Sequence, residues 1–470
     1  MSNPAQAVEA SSAGEASGTD KSSSIDEASS AEEETPSSLD EGTVERISQG
    51  APSWLSERRR HAWSVFESTP LPSTRSEEWR YTDVSRVVDL ADLRLAKHGA
   101  LAENGSRPAG LAAAMDEDRA ASGHTLLIDG GVVHVDLEAA LAEQGVILTS
   151  LKSAVHEHGD LLEELLATEV VPPEDGKFQA LNAAFWTDGV LLYVPPNVKL
   201  DLPVRATRWL SGAGSAVCTR TLIVAEPGSR VSYVEELLSE DFERRTLVSS
   251  AVEVIARDGS QVQYVSIQRL GRDAFCQSAQ RTLAYRDSRL DTLNVNLGGS
   301  VSRLDLSARL LGPGAHSDML GLYFGDEDQH FDHNTSQDHI APDTGSDLLY
   351  KGALDDRSRA AFRGIIRVHP GAQGTDAYQT NRNLLLSDEA RADSLPNLEI
   401  EADDVKCSHG ASVGQLDSEA LFYLLSRGLN LQQAERLVVL GFLGDVMARL
   451  PLGGVVEKVT RAIERKLKHV

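Results

Sequence analysis

Cysteine is scarce: three residues, at positions 218, 276 and 407, in a chain of 470. An odd number so widely spaced builds no paired disulfide framework and matches no zinc-ribbon spacing. Long apolar runs are missing too. None approaches the 18 residues of a membrane span, and the segment after Met1 has neither a basic n-region nor an apolar h-region. The expected setting is a reducing cytoplasm, with free thiols and no membrane. Basic charge is in deficit, 45 Lys and Arg against 71 Asp and Glu, a formal −26. Such a surface repels phosphate backbones and anionic lipid, which argues against nucleic-acid binding. Neither a GxxxxGKS/T loop nor a GxGxxG opening a helix after a strand occurs, so the usual nucleotide-binding motifs are lacking.

What remains is long enough for two or three domains, and its hydrophobic content of 41% is ordinary for a globular protein. Residues 1–45 are Ser, Ala, Glu and Asp without an aromatic, which predicts a disordered acidic tail. From 46 to 175 the pattern is mostly helical. Trp54, Leu55, Ala62, Val65 and Phe66 recur at helical intervals, and TLLIDGGVVHVDL reads as a hairpin turning at Asp129-Gly130-Gly131. Over 176–414 the period changes to two. Tight turns recur at EPGS (226), RDGS (257), RDSR (286), GPGA (312), PDTG (342) and HPGA (369), about 26 to 31 residues apart. A strand–turn–strand unit of that length cannot bury its own apolar face, whereas stacked units share a core. The period is short for a propeller blade and fits one coil of a parallel β-solenoid. Over 415–470 the period is helical again. Asp417 is placed as an N-cap, Gly428 as a C-terminal glycine, and Asn430 with Gln433 as a capping box. These helices are expected to cover the open last coil or to serve as a docking surface.

Two clusters are candidates for chemistry. In DQHFDHNTSQDHIAPDTG, His330, His333 and His339 lie beside Asp328, Asp332 and Asp338. Imidazoles near carboxylates suit a transition metal, but the spacing is not a standard ligand set, and on a strand His330 and His333 face opposite sides. Polar stacking between coils accounts for the cluster equally. In KCSHGASVGQ, Cys407 and His409 are two apart and share one face of an extended segment. That permits joint metal ligation or a thiolate–imidazole pair, but two ligands do not complete a site. Cys218 and Cys276 fall in strand-like runs and are expected to pack there. Acidic residues occur throughout, so the carboxylate pair of a β-helix glycosidase or lyase stays open on sequence.

The run ADDVKCSHGASVGQLDSEALFYLLSRGL resembles the C-terminal signature of the SufB/SufD family, scaffold subunits of the Suf iron–sulfur cluster assembly machinery. YQTNRNLLLSDEARADSLPNLEIEADDVKCSHG, SEEWRYTDV and FQALNAAFWTDGVLLYVPP fit the same pattern in the family's order, over roughly residues 50–465. Within the family the CSHGA form is similar to SufD. The resemblance implies a mainly β protein, a right-handed parallel β-helix between helical N- and C-terminal regions. It implies a non-catalytic scaffold that pairs with a SufB-type paralogue through the β-helix ends and docks the ATPase SufC on its C-terminal helices, with a homodimer possible when alone. It also implies a transient iron–sulfur cluster at the seam with SufB. His409 matches the family's seam histidine, and Cys407 its neighbouring cysteine. Leu421, Phe422, Leu424, Phe442 and Leu443 offer apolar surface for the ATPase. The competing readings are a stand-alone β-helix enzyme acting on carbohydrate or a polyanion, and a metal store built on the His330, His333 and His339 group.

Overall fold

The computed structural model describes residues 37–467 apart from 98, 100–106, 117–119, 169, 451 and 453. The expected acidic tail lies outside the described residues as far as 36, but its last part is ordered. Asp40 accepts the Thr43 backbone N–H at 2.8 Å and caps the helix Glu41–Ile47, which buries Thr43 and Val44. The boundary at 45 is therefore too late, because a capped turn with two buried side chains interrupts the polar run.

The core is a parallel solenoid. Strands alternate between two sheets, and each coil contributes one strand to each. The first sheet runs from Asp188–Val194 through Ser215–Ala225 to Arg391–Ile400, and the second from Val204–Leu210 through Arg230–Ser239 to Lys406–Gln415. The solenoid pairings are parallel and in register, for example Thr292 beside Met319 and Met319 beside Leu348. The six recognised turns are all corners leading from the first sheet to the second, one per coil, which is why their spacing gives the coil length. Five of them contain a left-handed residue within the quoted stretch, Gly228 (φ 71°), Gly259 (φ 66°), Asp287 (φ 52°), Gly314 (φ 75°) and Asp343 (φ 56°). In the sixth the left-handed residue is Gly374, beyond HPGA. Glycine, and next to it aspartate, adopts this conformation at least cost.

The hairpin forms as expected, Gly123–Ile128 against Gly131–Leu137, with Asp129 and Gly130 both at positive φ. It is not separate from the solenoid: its first strand pairs in parallel with Val204–Leu210 and extends the second sheet. The helix Lys177–Phe185 lies inside the range expected to be β. Every residue from Phe178 to Phe185 is buried, so its sequence lacks the polar face that marks a surface helix.

The outer faces of the two sheets are covered differently. N-terminal helices pack on the first, where Trp79 stacks on Phe178 and Phe178 meets Phe275 edge-on. The C-terminal helices Leu431–Arg449 and Val455–Lys466 lie on the outer face of the second, with Val439, Leu443, Val446, Val459 and Ile463 against Val265, Val295, Leu322 and Leu349. Lys458 reaches between them to Glu236 at 2.6 Å, both side chains being buried. The helices thus cover a sheet face, correcting the expectation of a cap over the last coil. An apolar stripe at 455, 459, 462 and 463 fits a flat sheet face, which the strand edges of a coil end do not offer.

Candidate functional site

Among the described residues nothing caps the last coil, so its interior is exposed. The strand Lys406–Gln415 pairs, among the described residues, only with Asp376–Leu385, and the strand Arg391–Ile400 only with Arg359–Val368. Register sets Cys407 beside Ala377 and His409 beside Gln379. Cys407 ends the column Ser317, Ser346, Ala377, and His409 ends the column Tyr233, Tyr264, Thr292, Met319, Leu348, Gln379. Every earlier member of both columns is buried between the sheets. His409 would be buried too if another coil followed, but it is exposed. Cys407 is half-buried, packed beside Ile366, Val368, Ala372 and Leu398. Burial pushes its thiol above the usual range, Asp376 adds to the rise, and a hydrogen bond from the Ala377 backbone opposes it. The two side chains share one face, as their spacing requires, and that face is the mouth of the solenoid. Val413 (44% exposed) and Ile400 (41%) present apolar surface at the same end.

The three histidines of the other cluster do not converge. His333 and His339 point inward. His333 Nε2 meets Asn296 Nδ2 at 3.0 Å, and its ring stacks on Tyr323 with centroids 4.6 Å apart. His339 bonds through Nδ1 to Thr344 Oγ1 at 2.7 Å and through Nε2 to Ser346 Oγ at 2.8 Å. Burial, the main cause in each, holds both down at about 4, so both are neutral at physiological pH. His330 points out of the first sheet and meets Thr82 Oγ1 at 2.8 Å, while Thr82 donates to Asp332 Oδ2 at 2.5 Å. Among the described residues no three His, Cys, Asp or Glu side chains form a group fit to hold a metal ion.

The apolar residues singled out in the C-terminal region divide sharply. Phe422 is 73% exposed, and Leu421 and Leu424 are partly exposed on the helix Ser418–Ser426, which buries no residue. Leu443, in contrast, is 0% exposed against the second sheet, which removes it from any docking surface. Phe442 is partly buried under Lys351, whose Nζ lies 4.7 Å from its ring and donates to its carbonyl at 2.9 Å. The sequence reading missed Tyr423, Leu425, Leu431 and Leu437, all exposed. The signal was present in LFYLL, a short run apolar all round, which one buried face cannot absorb. Asp417, Gly428 and the Asn430–Gln433 capping box take the places expected of them.

A groove of about 460 Å³ lies between the N-terminal region and the outer face of the first sheet. Four acidic residues line it: Asp175 pairs with Arg281 at 3.0 Å, Asp305 with Arg303 at 2.9 Å and Glu399 with Arg367 at 2.8 Å, and Glu78 is the fourth. No helix of the described residues is long and apolar enough to cross a membrane.

Comparison with known proteins agrees with this architecture. Residues 33–206 match the family described as SufBD protein N-terminal region, and residues 208–442 that described as SUF system FeS cluster assembly, SufBD core domain. The division falls inside the second sheet's first solenoid strand, so family boundary and fold boundary differ. An iron–sulfur cluster assembly SufBD family protein of Staphylococcus haemolyticus is 30% identical over 424 residues, 89% of this chain and 91% of that protein. Relatives from Staphylococcus epidermidis and Staphylococcus saprophyticus, of the same description, are 30% and 29% identical over the same shares of each chain. The chain belongs to the SufBD family of iron–sulfur cluster assembly proteins.

Proposed function

We propose that this chain is a SufD-type scaffold without catalytic residues of its own, pairing through its open last coil with a SufB-type paralogue. The observation that carries the reading is the placement of Cys407 and His409 at the ends of two interior columns, in an uncapped mouth. A strand edge left unpaired is a template for another chain. The nascent cluster is cargo held between the two chains. It takes thiolate ligands, and imidazole replaces thiolate in some centres. His409 supplies an exposed imidazole, Cys407 a thiol about 6.6 Å along the strand, and the partner the remaining ligands. Neither residue suffices alone, which accounts for a motif with too few ligands.

The helix Ser418–Ser426, with Phe422, Tyr423 and Leu425 exposed, is the docking element for a SufC-type ATPase. None of those side chains is buried, which supports a role toward another chain. ATP hydrolysis then belongs to that partner.

The test is anaerobic cluster reconstitution on the chain co-expressed with its SufB and SufC partners, comparing wild type, His409→Ala and Cys407→Ala. Loss of the cluster absorbance in His409→Ala, with the complex intact by size-exclusion chromatography, is the expected result. An unchanged cluster in both variants would reduce the CSHG segment to packing.

A further inference from the structure

At the root of the helix Ser418–Ser426 lies a small socket. Leu416, two residues before the helix, lines a pocket of about 90 Å³ with Leu386, Val439 and Leu467, and with Glu435 and Arg436 of the helix Leu431–Arg449. That volume is far below the roughly 300–1,000 Å³ of small-molecule sites. A socket of this size takes a side chain and not a cofactor.

Its walls are mostly apolar, and its acidic charge is uncompensated. Arg436 turns to Glu464. Glu435 is half-buried and has no hydrogen bond or ion pair among the described residues. Burial pushes its carboxyl above the usual range, and the nearby Asp355 adds to the rise. Asp355 is 7% exposed, and the Leu354 carbonyl just before it accepts the backbone N–H of the wall residue Leu386 at 2.8 Å. It too lacks a cation among the described residues: its Oδ1 accepts the Asp356 backbone N–H at 2.9 Å. Burial pushes it up, that N–H opposes the rise, and the charges of Asp356 and Asp326 add to it. Lys466 is committed elsewhere, to Asp326 at 3.0 Å, Gln329 Oε1 at 2.6 Å and the Leu297 carbonyl at 2.7 Å. Two carboxylates without a cation thus lie close where a helix joins the solenoid, an arrangement that costs this chain stability.

We propose that the socket receives a lysine or arginine side chain of the SufC-type ATPase, a proposal that rests on reading Ser418–Ser426 as the docking element. Lysine and arginine combine a long apolar stem with a charged head. The stem lies along Leu386, Leu416 and Val439, and the head neutralises Glu435 and Asp355. Charge selects this occupant. An apolar side chain would bury Glu435 further without a partner, and an acidic one would be repelled. A metal ion finds too few ligands, since no three His, Cys, Asp or Glu of the described residues form a group fit to hold one. Position selects it as well, because Leu416 directly precedes Asp417, the N-cap of the helix that exposes Phe422. A partner seated on Phe422 therefore reaches the socket.

The test is calorimetric titration of the full chain with the purified ATPase at low and high salt, comparing wild type, Glu435→Gln and Phe422→Ser. Glu435→Gln is expected to weaken binding at least about tenfold and to flatten its salt dependence. The Tm of this variant alone should stay level or rise, because a like-charge contact is relieved. Phe422→Ser should weaken binding and keep the salt dependence. Wild-type affinity in Glu435→Gln with weakened binding in Phe422→Ser would overturn the socket and leave the docking helix standing. Unchanged affinity in both would overturn the docking reading and the socket with it. Weaker binding of Glu435→Gln with an unaltered salt dependence would overturn the basic occupant in favour of a neutral donor. A fall in the Tm of Glu435→Gln alone would reveal a cation already supplied within the chain, and would overturn the proposal too.

Discussion

At the residue scale, the interior of the last coils contains titratable groups that folding has made neutral. His333 and His339 are each held at about 4 by burial, against an ordinary value near 6.5. A histidine whose folded value is depressed takes up its proton more readily when unfolded. Its contribution to stability is therefore complete above about pH 6.5 and lost as pH falls toward 4. The expected loss is roughly 3 kcal/mol per histidine between pH 7.5 and 4. It is measurable as a fall in urea midpoint that His333→Phe, filling the same aromatic stack, makes shallower. Cysteine chemistry should follow burial in the same way. Cys218 and Cys276 are pushed up to about 12, whereas Cys407 is half-buried with a smaller rise. Iodoacetamide at pH 8 is expected to label Cys407 slowly and the other two only after denaturation, as read by mass spectrometry. Sequence spacing alone made it clear that His330 and His333 face opposite sides and that Cys407 and His409 share one. Alternation fixes which residues are alike without saying which set is inside.

At the element scale, the corners were legible because geometry restricts their chemistry. A left-handed corner selects Gly or Asp, and that choice recurs once per coil. The opposite corners, from the second sheet back to the first, were not legible. They use residues such as Glu327 (φ 50°) and Asp356 (φ 48°) that look like ordinary surface polar positions. Nor could sequence place the C-terminal helices, since an amphipathic stripe declares that it is covered but not by what. Lys458 decides the matter. It sits within the apolar stripe of Val455–Lys466 and pairs with buried Glu236 of the second sheet. Lys458→Met would leave Glu236 with Arg269 as its remaining cation among the described residues. The expected cost is about 3 kcal/mol in denaturant midpoint, because a buried charge loses a partner. Phe422→Ser, on a helix that buries nothing, should change stability by less than about 0.5 kcal/mol. It should still weaken association with the SufC-type ATPase in a pull-down of the assembled complex. A large stability loss in Phe422→Ser would mean that the helix packs on its own chain and is not a docking element.

At the scale of the whole molecule, the two terminal edges are not equivalent. Arg391–Ile400 carries Pro396, which donates no hydrogen bond, and the charged residues Arg391, Asp393 and Glu399, features that protect an edge from pairing. Lys406–Gln415 reads KCSHGASVGQ, with no proline and no Asp, Glu, Lys or Arg between Cys407 and Gln415. Pairing should therefore run through the second sheet, which brings the mouth with Cys407 and His409 against the partner. Without the paralogue, a second copy offers the same edge, and a closed two-fold dimer is the expected form of the isolated chain. Two copies of formal charge −26 repel, so dimerisation should tighten as salt rises from about 0.01 to 0.15 M, where the Debye length shortens from roughly 30 to 8 Å. Val413→Lys places a charge in the mouth and on the edge, and should yield a monomer in sedimentation equilibrium with an unchanged far-UV spectrum. A dimer that survives Val413→Lys and loosens with salt would move the contact to an ion-paired surface elsewhere. That outcome would separate the two halves of the proposal, leaving the family role intact and the open coil without its partner.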